Sequence, residues 1–202
     1  MANFYNFFAF ISSFMSPIEI VATIMGLFSV YFTVRQNMLC WPTWIIMVIL
    51  YIYIFYNAKL YSDTILQIIF LFMQFYWWYM WKYWWKNKSI LKVKTISNRF
   101  RIIGILWIII VSLCWGYFMK SKTDASLPIA DSFVLYLSLT AQLLLSFKIL
   151  ESWVLWIIVD ILSVWVYYYK WLYLTTWLYF IFLILAILWL IEWLKAIKKQ
   201  ED

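Results

Sequence analysis

The stretch "WPTWIIMVILYIYIFYNAKLYSDTILQIIFLFMQFYWWYMW", residues 41–81, returns in altered form at residues 153–193 as "WVLWIIVDILSVWVYYYKWLYLTTWLYFIFLILAILWLIEW". The two align without a gap at an offset of 112 residues, the distance from Trp41 to Trp153. Trp44 then meets Trp156, Tyr56 meets Tyr168, Leu60-Tyr61 meet Leu172-Tyr173, Trp77 meets Trp189 and Trp81 meets Trp193. Apolar matches arise by chance in so biased a chain, but paired tryptophans at equal spacings do not. At the same offset Glu19 meets Asp131, each at the entrance of an apolar span.

Working outward, 67% of the 202 residues are hydrophobic and 12% are charged, with a mean hydropathy of +0.86. A soluble domain is about half apolar, so the composition predicts an all-α membrane protein in which near-spanning apolar runs recur. Breaks at charges, proline and polar clusters give seven spans, at 17–34, 41–57, 62–81, 102–119, 130–147, 152–169 and 172–193. The whole chain, 1–202, reads as one integral membrane domain. Its first repeat covers 17–81, a linker helix 102–119, and a second repeat 130–193. With an odd helix between them, both repeats start on the same side and run parallel, an arrangement used by transporters with a midplane site.

The sixteen basic residues divide unequally between the two faces. Twelve fall on the side of Arg35, the loop "KYWWKNKSILKVKTISNRFR", Lys148 and the C-terminal lysines. Four, Lys59, Lys120, Lys122 and Lys170, fall on the other. The positive-inside rule then puts the long loop and C-terminus in the cytoplasm and the N-terminus outside. The net charge of +7 is this topological signal, with its basic residues flanking spans, and no nucleic-acid partner is expected. The opening "MANFYNFFAFISSFMSP" lacks a basic start and a small-residue cleavage site, and reads as an interfacial lead-in.

Function classes fall away quickly. Histidine is absent, which removes the commonest metal ligand and general base. Cys40 and Cys114 have no partner spacing and read as apolar fillers. No P-loop or nucleophile motif occurs. No catalytic residue, metal or cofactor is expected, and the chain is read as a non-enzyme.

One residue breaks the apolar pattern of 152–169. Asp160 lies mid-span with no lysine or arginine within nine residues on either side. An acid at that depth costs ~2.5–3.5 kcal/mol on insertion scales and marks a pathway. Helical spacing puts it on one face with Trp153, Trp156, Ser163 and Tyr167. Its repeat counterpart is Val48, so the acid is not part of the duplicated frame. Span three carries a polar stripe of Asp63, Gln67 and Gln74, and span five carries Ser138, Gln142 and Ser146. The expected small-molecule site is Gln67, Gln142, Trp153, Trp156 and Asp160, with inward amides and aromatic faces suited to a heterocyclic cation. The bland alternatives are interhelical hydrogen bonds for the glutamines and an interfacial belt for Trp84, Trp85, Trp171, Trp189 and Trp193. Glu19 and Asp131 read equally as charges at helix N-termini.

"FYNAKLYSDTILQ", "YWWYMW" and "ESWVLWIIVDILSVWVYYYKWLYLTTWLY" together resemble the PnuC family of bacterial nicotinamide riboside transporters. The likeness runs from about Ser16 to Trp193. Members commonly have a glycine before the tryptophan that closes span three, where this chain has Tyr76 before Trp77. The resemblance implies seven spans in a SWEET-like parallel repeat, a homotrimer in the bacterial inner membrane, and facilitated diffusion of the riboside. The riboside would be trapped inside by phosphorylation and would feed NAD synthesis. Relatives that take thiamine belong to the same family, so a thiamine transporter is the alternative.

Overall fold

The structure is a computed structural model that describes residues 16–34, 37–84, 93–147 and 149–201. The lead-in before Ser16, Arg35, Lys148 and the loop residues Trp85, Lys86, Lys88 and Lys92 lie outside the described residues. Seven helices account for almost all of what is described: α1 (Pro17–Val34), α2 (Cys40–Asn57), α3 (Tyr61–Trp84), α4 (Asn98–Lys122), α5 (Pro128–Ser146), α6 (Glu151–Tyr169) and α7 (Tyr173–Glu201). A helix lies at each expected span, and α3, α4 and α7 run several residues past the expected limits. Helix continues through charged and aromatic ends because its backbone bonds, unlike apolar burial, do not stop at a polar side chain. Five helices (α2, α4, α5, α6 and α7) are long and apolar enough to cross a membrane by themselves. α1 is apolar over Pro17–Phe32, and α3 is diluted by the polar stripe it carries.

The packing is a closed ring. α1 packs on α2, α2 on α3, α3 on α5, α5 on α6, α6 on α7, and α7 returns to α1. α4 lies outside this ring against α5, and buries only Ile108, Ser112, Gly116 and Met119. The reason for its close approach is Gly116, where a Cβ would sit 3.0 Å from the Ile129 Cα and 3.2 Å from the Pro128 carbonyl oxygen. Backbone cannot move aside as a side chain can. Gly116→Ala should therefore cost roughly 1–3 kcal/mol by overpacking, seen as a lower melting temperature in detergent. Gly104, with nothing near it, should tolerate the same change.

Two faces are defined by loop contacts. On the first, Ser126 donates its hydroxyl to the Ala58 carbonyl (3.0 Å) and its N–H to the Lys59 carbonyl (3.0 Å), while Lys170 Nζ donates to Ser126 Oγ (2.8 Å). The loop before α5 thereby ties down the α2–α3 and α6–α7 turns. Those turns match: Lys59 has φ 60° and Trp171 φ 61°. In each, the next N–H returns to a carbonyl five residues back, Leu60 to Phe55 (2.9 Å) and Leu172 to Tyr167 (3.0 Å). This is the left-handed helix closure that glycine usually serves, here made by other residues. Asp124 pairs with Lys59 and Tyr61, and these partners hold its carboxyl below the usual carboxylate range.

On the second face the first turn of α4 and the segment before it are pinned to the start of α6. Arg101 donates through Nε (2.9 Å) and Nη2 (2.6 Å) to Glu151, whose same oxygen accepts the Ile96 N–H at 3.1 Å. Leu150 N–H donates to the Lys94 carbonyl at 2.9 Å.

Candidate functional site

The ring interior is built from positions where polar side chains interrupt apolar helix faces. At its first-face end two carboxylates each close a helix that is not their own. Asp131 of α5 accepts the backbone N–H groups of Ser62 (2.7 Å) and Asp63 (2.8 Å) at the start of α3. Glu19 of α1 accepts the N–H (3.0 Å) and hydroxyl (2.8 Å) of Thr175 at the start of α7. Free N–H groups and the positive end of the helix dipole draw an acid to such a terminus. The expected dipole role is met, but at the start of a neighbouring helix in the ring and not of their own. Residues 112 apart, Glu19 and Asp131, thus hold residues 112 apart, Thr175 and Asp63.

Beneath these caps lies an aromatic stack. Tyr51 packs on Phe55 (5.2 Å between centroids), Phe55 on Tyr167 (5.0 Å, 14° between planes), and Tyr167 edge-on to Tyr179 (4.8 Å). Phe55 and Tyr167 are again 112 apart. Tyr167 also donates its hydroxyl to Asp63 Oδ2 at 2.8 Å, joining α6 to α3. A second join between these helices is Phe70 with Trp156, at 6.4 Å.

These two joins bracket a layer. Between Asp63 and Phe70 on α3 sits Gln67; between Tyr167 and Trp156 on α6 sit Ser163 and Asp160. All three are buried, at 3%, 0% and 3% exposure. Gln67 Oε1 and Ser163 Oγ have no hydrogen-bond partner, and Asp160 has neither a hydrogen bond nor a basic partner among the described residues. Tyr179 stands beside the layer, within electrostatic reach of Asp63, Tyr51 and Asp160.

The other expected residues lie deeper. α3 and α5 both start at the first face, so Gln142, eleven residues past Asp131, is level with Gln74. That is about 10 Å below Gln67 at 1.5 Å per residue. Gln142 is half-buried and Gln74 Oε1 is buried without a partner. Trp153, one turn beyond Trp156, stacks on Trp189 (5.8 Å, 11°) and meets Trp193 edge-on (5.5 Å). Those two tryptophans are therefore part of a cluster with Trp153 and not merely belt residues, whereas Trp171 is 70% exposed. By helical register Gln67 and Asp160 both fall between the two α3–α6 joins, Trp156 takes part in the lower join, and Gln142 and Trp153 lie a further turn or more along their helices. Ser163 and Asp63 join the upper layer; the signal for them was the shared helical face and the polar stripe. A separate apolar cleft of about 300 Å³, lined by Val111, Cys114, Trp115, Phe118 and Tyr136, opens between α4 and α5 outside the ring and has no polar group suited to a cation.

The sequence profile of the family described as "Nicotinamide mononucleotide transporter" matches residues 16–195. The chain belongs to this family. It is similar to the nicotinamide riboside transporter PnuC of Escherichia coli (strain K12), 25% identical with 74% of this chain and 73% of the relative covered. It is also similar to the PnuC of Neisseria mucosa, 26% identical over 71% of this chain and 57% of that protein. A crystal structure of the vitamin B3 transporter PnuC shares the fold with a TM-score of 0.70 at 23% identity, covering 95% of this chain and 87% of that one. The chain is thus a multi-pass membrane protein of a transporter family.

Proposed function

We propose that the protein is a passive importer of nicotinamide riboside in the bacterial inner membrane, working by alternating access. The observation that carries this reading is Asp160, a buried acid at the middle of a spanning helix with no cationic partner among the described residues, one turn from Trp156. A buried carboxylate without a counter-charge is costly, and a pyridinium supplies the missing charge while the aromatic faces contribute cation–π attraction of roughly 0.5–2 kcal/mol. Gln67, Gln142, Trp153, Trp156 and Asp160 are the proposed contacts. The family description names a mononucleotide and the relatives a riboside. The buried carboxylates Glu19, Asp63, Asp131 and Asp160 repel a phosphate, so the riboside is the better fit. Once inside, phosphorylation traps it for NAD synthesis.

The architecture behind this reading is two parallel three-helix units, α1–α3 and α5–α7, linked by α4 as in SWEET transporters. The reciprocal carboxylate caps and the Phe55–Tyr167 contact support it, since a two-fold axis between the units demands such pairs. We place the basic second face in the cytoplasm and the N-terminus outside, and take the assembly to be a homotrimer.

The test is uptake by purified protein in liposomes without ATP. Labelled nicotinamide riboside should equilibrate across the bilayer, and unlabelled riboside should compete better than thiamine. Thiamine offers a thiazolium to the same acid, so it is the direct rival. Uptake competed only by thiamine would replace the substrate, and no uptake of either would remove the passive mechanism.

A further inference from the structure

Outside the ring, the cleft between α4 and α5 has a lengthwise pattern. Val111, Trp115 and Phe118 line it from α4, and Lys122 follows at the next turn of the helix. Steps of four, three and four residues put all four on one side of α4. That side flanks the buried seam of Ile108, Ser112, Gly116 and Met119, so the stripe runs along the joint with α5. Lys120, two residues before Lys122, falls on the opposite flank by helical register.

Contacts within the chain hold the wall of this cleft. Trp115 donates its Nε1–H to Ser62 Oγ of α3 at 3.2 Å and packs on Phe118 with 5.5 Å between ring centroids. Tyr136 closes the α5 side, and Cys114 and Phe118 are exposed, so the cleft opens towards lipid. Two measures then identify what fits. The first is depth. Lys122 and Val111 are eleven residues apart, about 16 Å along a helix, which is close to half of the roughly 30 Å hydrocarbon core of a bilayer. The second is charge. Of the four basic residues on the first face, Lys59 pairs with Asp124 and Lys170 donates to Ser126. Lys122 is exposed and makes no ion pair among the described residues. An uncompensated lysine at the mouth of an apolar slot one leaflet deep suits an amphiphile with a negative head.

We propose that the α4–α5 cleft seats an anionic phospholipid of the first-face leaflet, with one acyl chain along Val111, Trp115 and Phe118 and its phosphate at Lys122. The bound chain covers apolar surface on both helices and so braces α4, which buries only four residues of its own, against α5. A zwitterionic lipid fits the same slot but gains less from the lysine, because its own cation offsets the phosphate. The site lies outside the ring and shares no residue with the proposed riboside contacts, so either reading can fail without the other.

Lys122→Ala and Lys120→Ala together form the discriminating pair, because they remove the same charge from opposite flanks of one helix end. The purified full chain, delipidated in nonionic detergent, is titrated with dioleoylphosphatidylglycerol or dioleoylphosphatidylcholine and followed by native mass spectrometry. Phosphatidylglycerol should bind about fivefold more tightly, the scale of one lysine beside an anionic head, and should raise the melting temperature by mass action. Lys122→Ala should erase that preference, and Lys120→Ala should leave it intact. Cys114→Trp, a filler at an exposed position that touches neither lysine, should weaken both lipids. Equal affinity for the two lipids, or an equal loss in both lysine variants, overturns the proposal. Lipid binding unchanged in Cys114→Trp also overturns it, and an oligomer that falls apart in that variant makes a second copy of the chain the occupant instead.

Discussion

Asp160→Asn should lower the affinity of the purified protein for nicotinamide riboside by about thirtyfold while leaving its melting temperature unchanged or higher. Opposite charges ~4 Å apart attract by about 4 kcal/mol at an effective dielectric of about 20. Roughly half of this is offset by stripping water from the ligand, and ~2 kcal/mol corresponds to about thirtyfold. Folding moves the other way. Asp160 is 3% exposed and without a basic partner among the described residues, so neutralising it relieves an uncompensated buried charge. Opposed changes in binding and stability separate a ligand contact from a packing role. The dihydro form of the riboside, with a neutral ring and the same sugar, is the control: its affinity should not fall. Equal losses for both rings would show that the substitution disturbs the site's shape and not its charge.

Much of the fold was legible because a membrane chain announces its helices by long apolar runs and its turns by charges. The turns themselves were not. Lys59 and Trp171 take the left-handed conformation (φ 60° and 61°) with no glycine to signal it, held instead by the Ser126 loop. Asp160 stood out on its own, since a lone acid among aromatics has few innocent explanations. Gln142 and Gln67 read as one set from their residue type, and only the registry of α5 against α3, fixed by the Asp131 caps, separates them by depth. Trp189 and Trp193 fit an interfacial belt in sequence, and the stacking against Trp153 depends on the rotation of α7 about its axis, which the nearly uniform apolar surface of that helix does not encode. The partners of Glu19 and Asp131 lie more than sixty residues away, and no local pattern points to them.

Those two carboxylates carry the second large effect. Asp131→Ala should destabilise the protein by about 3–5 kcal/mol, combining a lost helix cap of roughly 1–2 kcal/mol with two buried N–H groups left without their charged acceptor at ~1–3 kcal/mol each. Such terms overlap and do not simply add. For a chain of this size that is a fall of about 6–20 °C in melting temperature, followed by size-exclusion chromatography after heating in detergent. Asp131→Asn keeps one oxygen to accept a hydrogen bond and should lose about half as much. Glu19→Ala, which frees one N–H and one hydroxyl of Thr175, should fall between the two. Binding should separate the pair more sharply than melting does. Asp131 orients the first turn of α3, which carries Asp63 and, one turn on, Gln67. Glu19 orients α7, which contributes Tyr179. At a temperature where both variants remain folded, Asp131→Ala should therefore weaken the riboside more than Glu19→Ala does. If both variants bind alike, the site does not depend on how α3 is held, and the cap serves only to join the two halves of the ring.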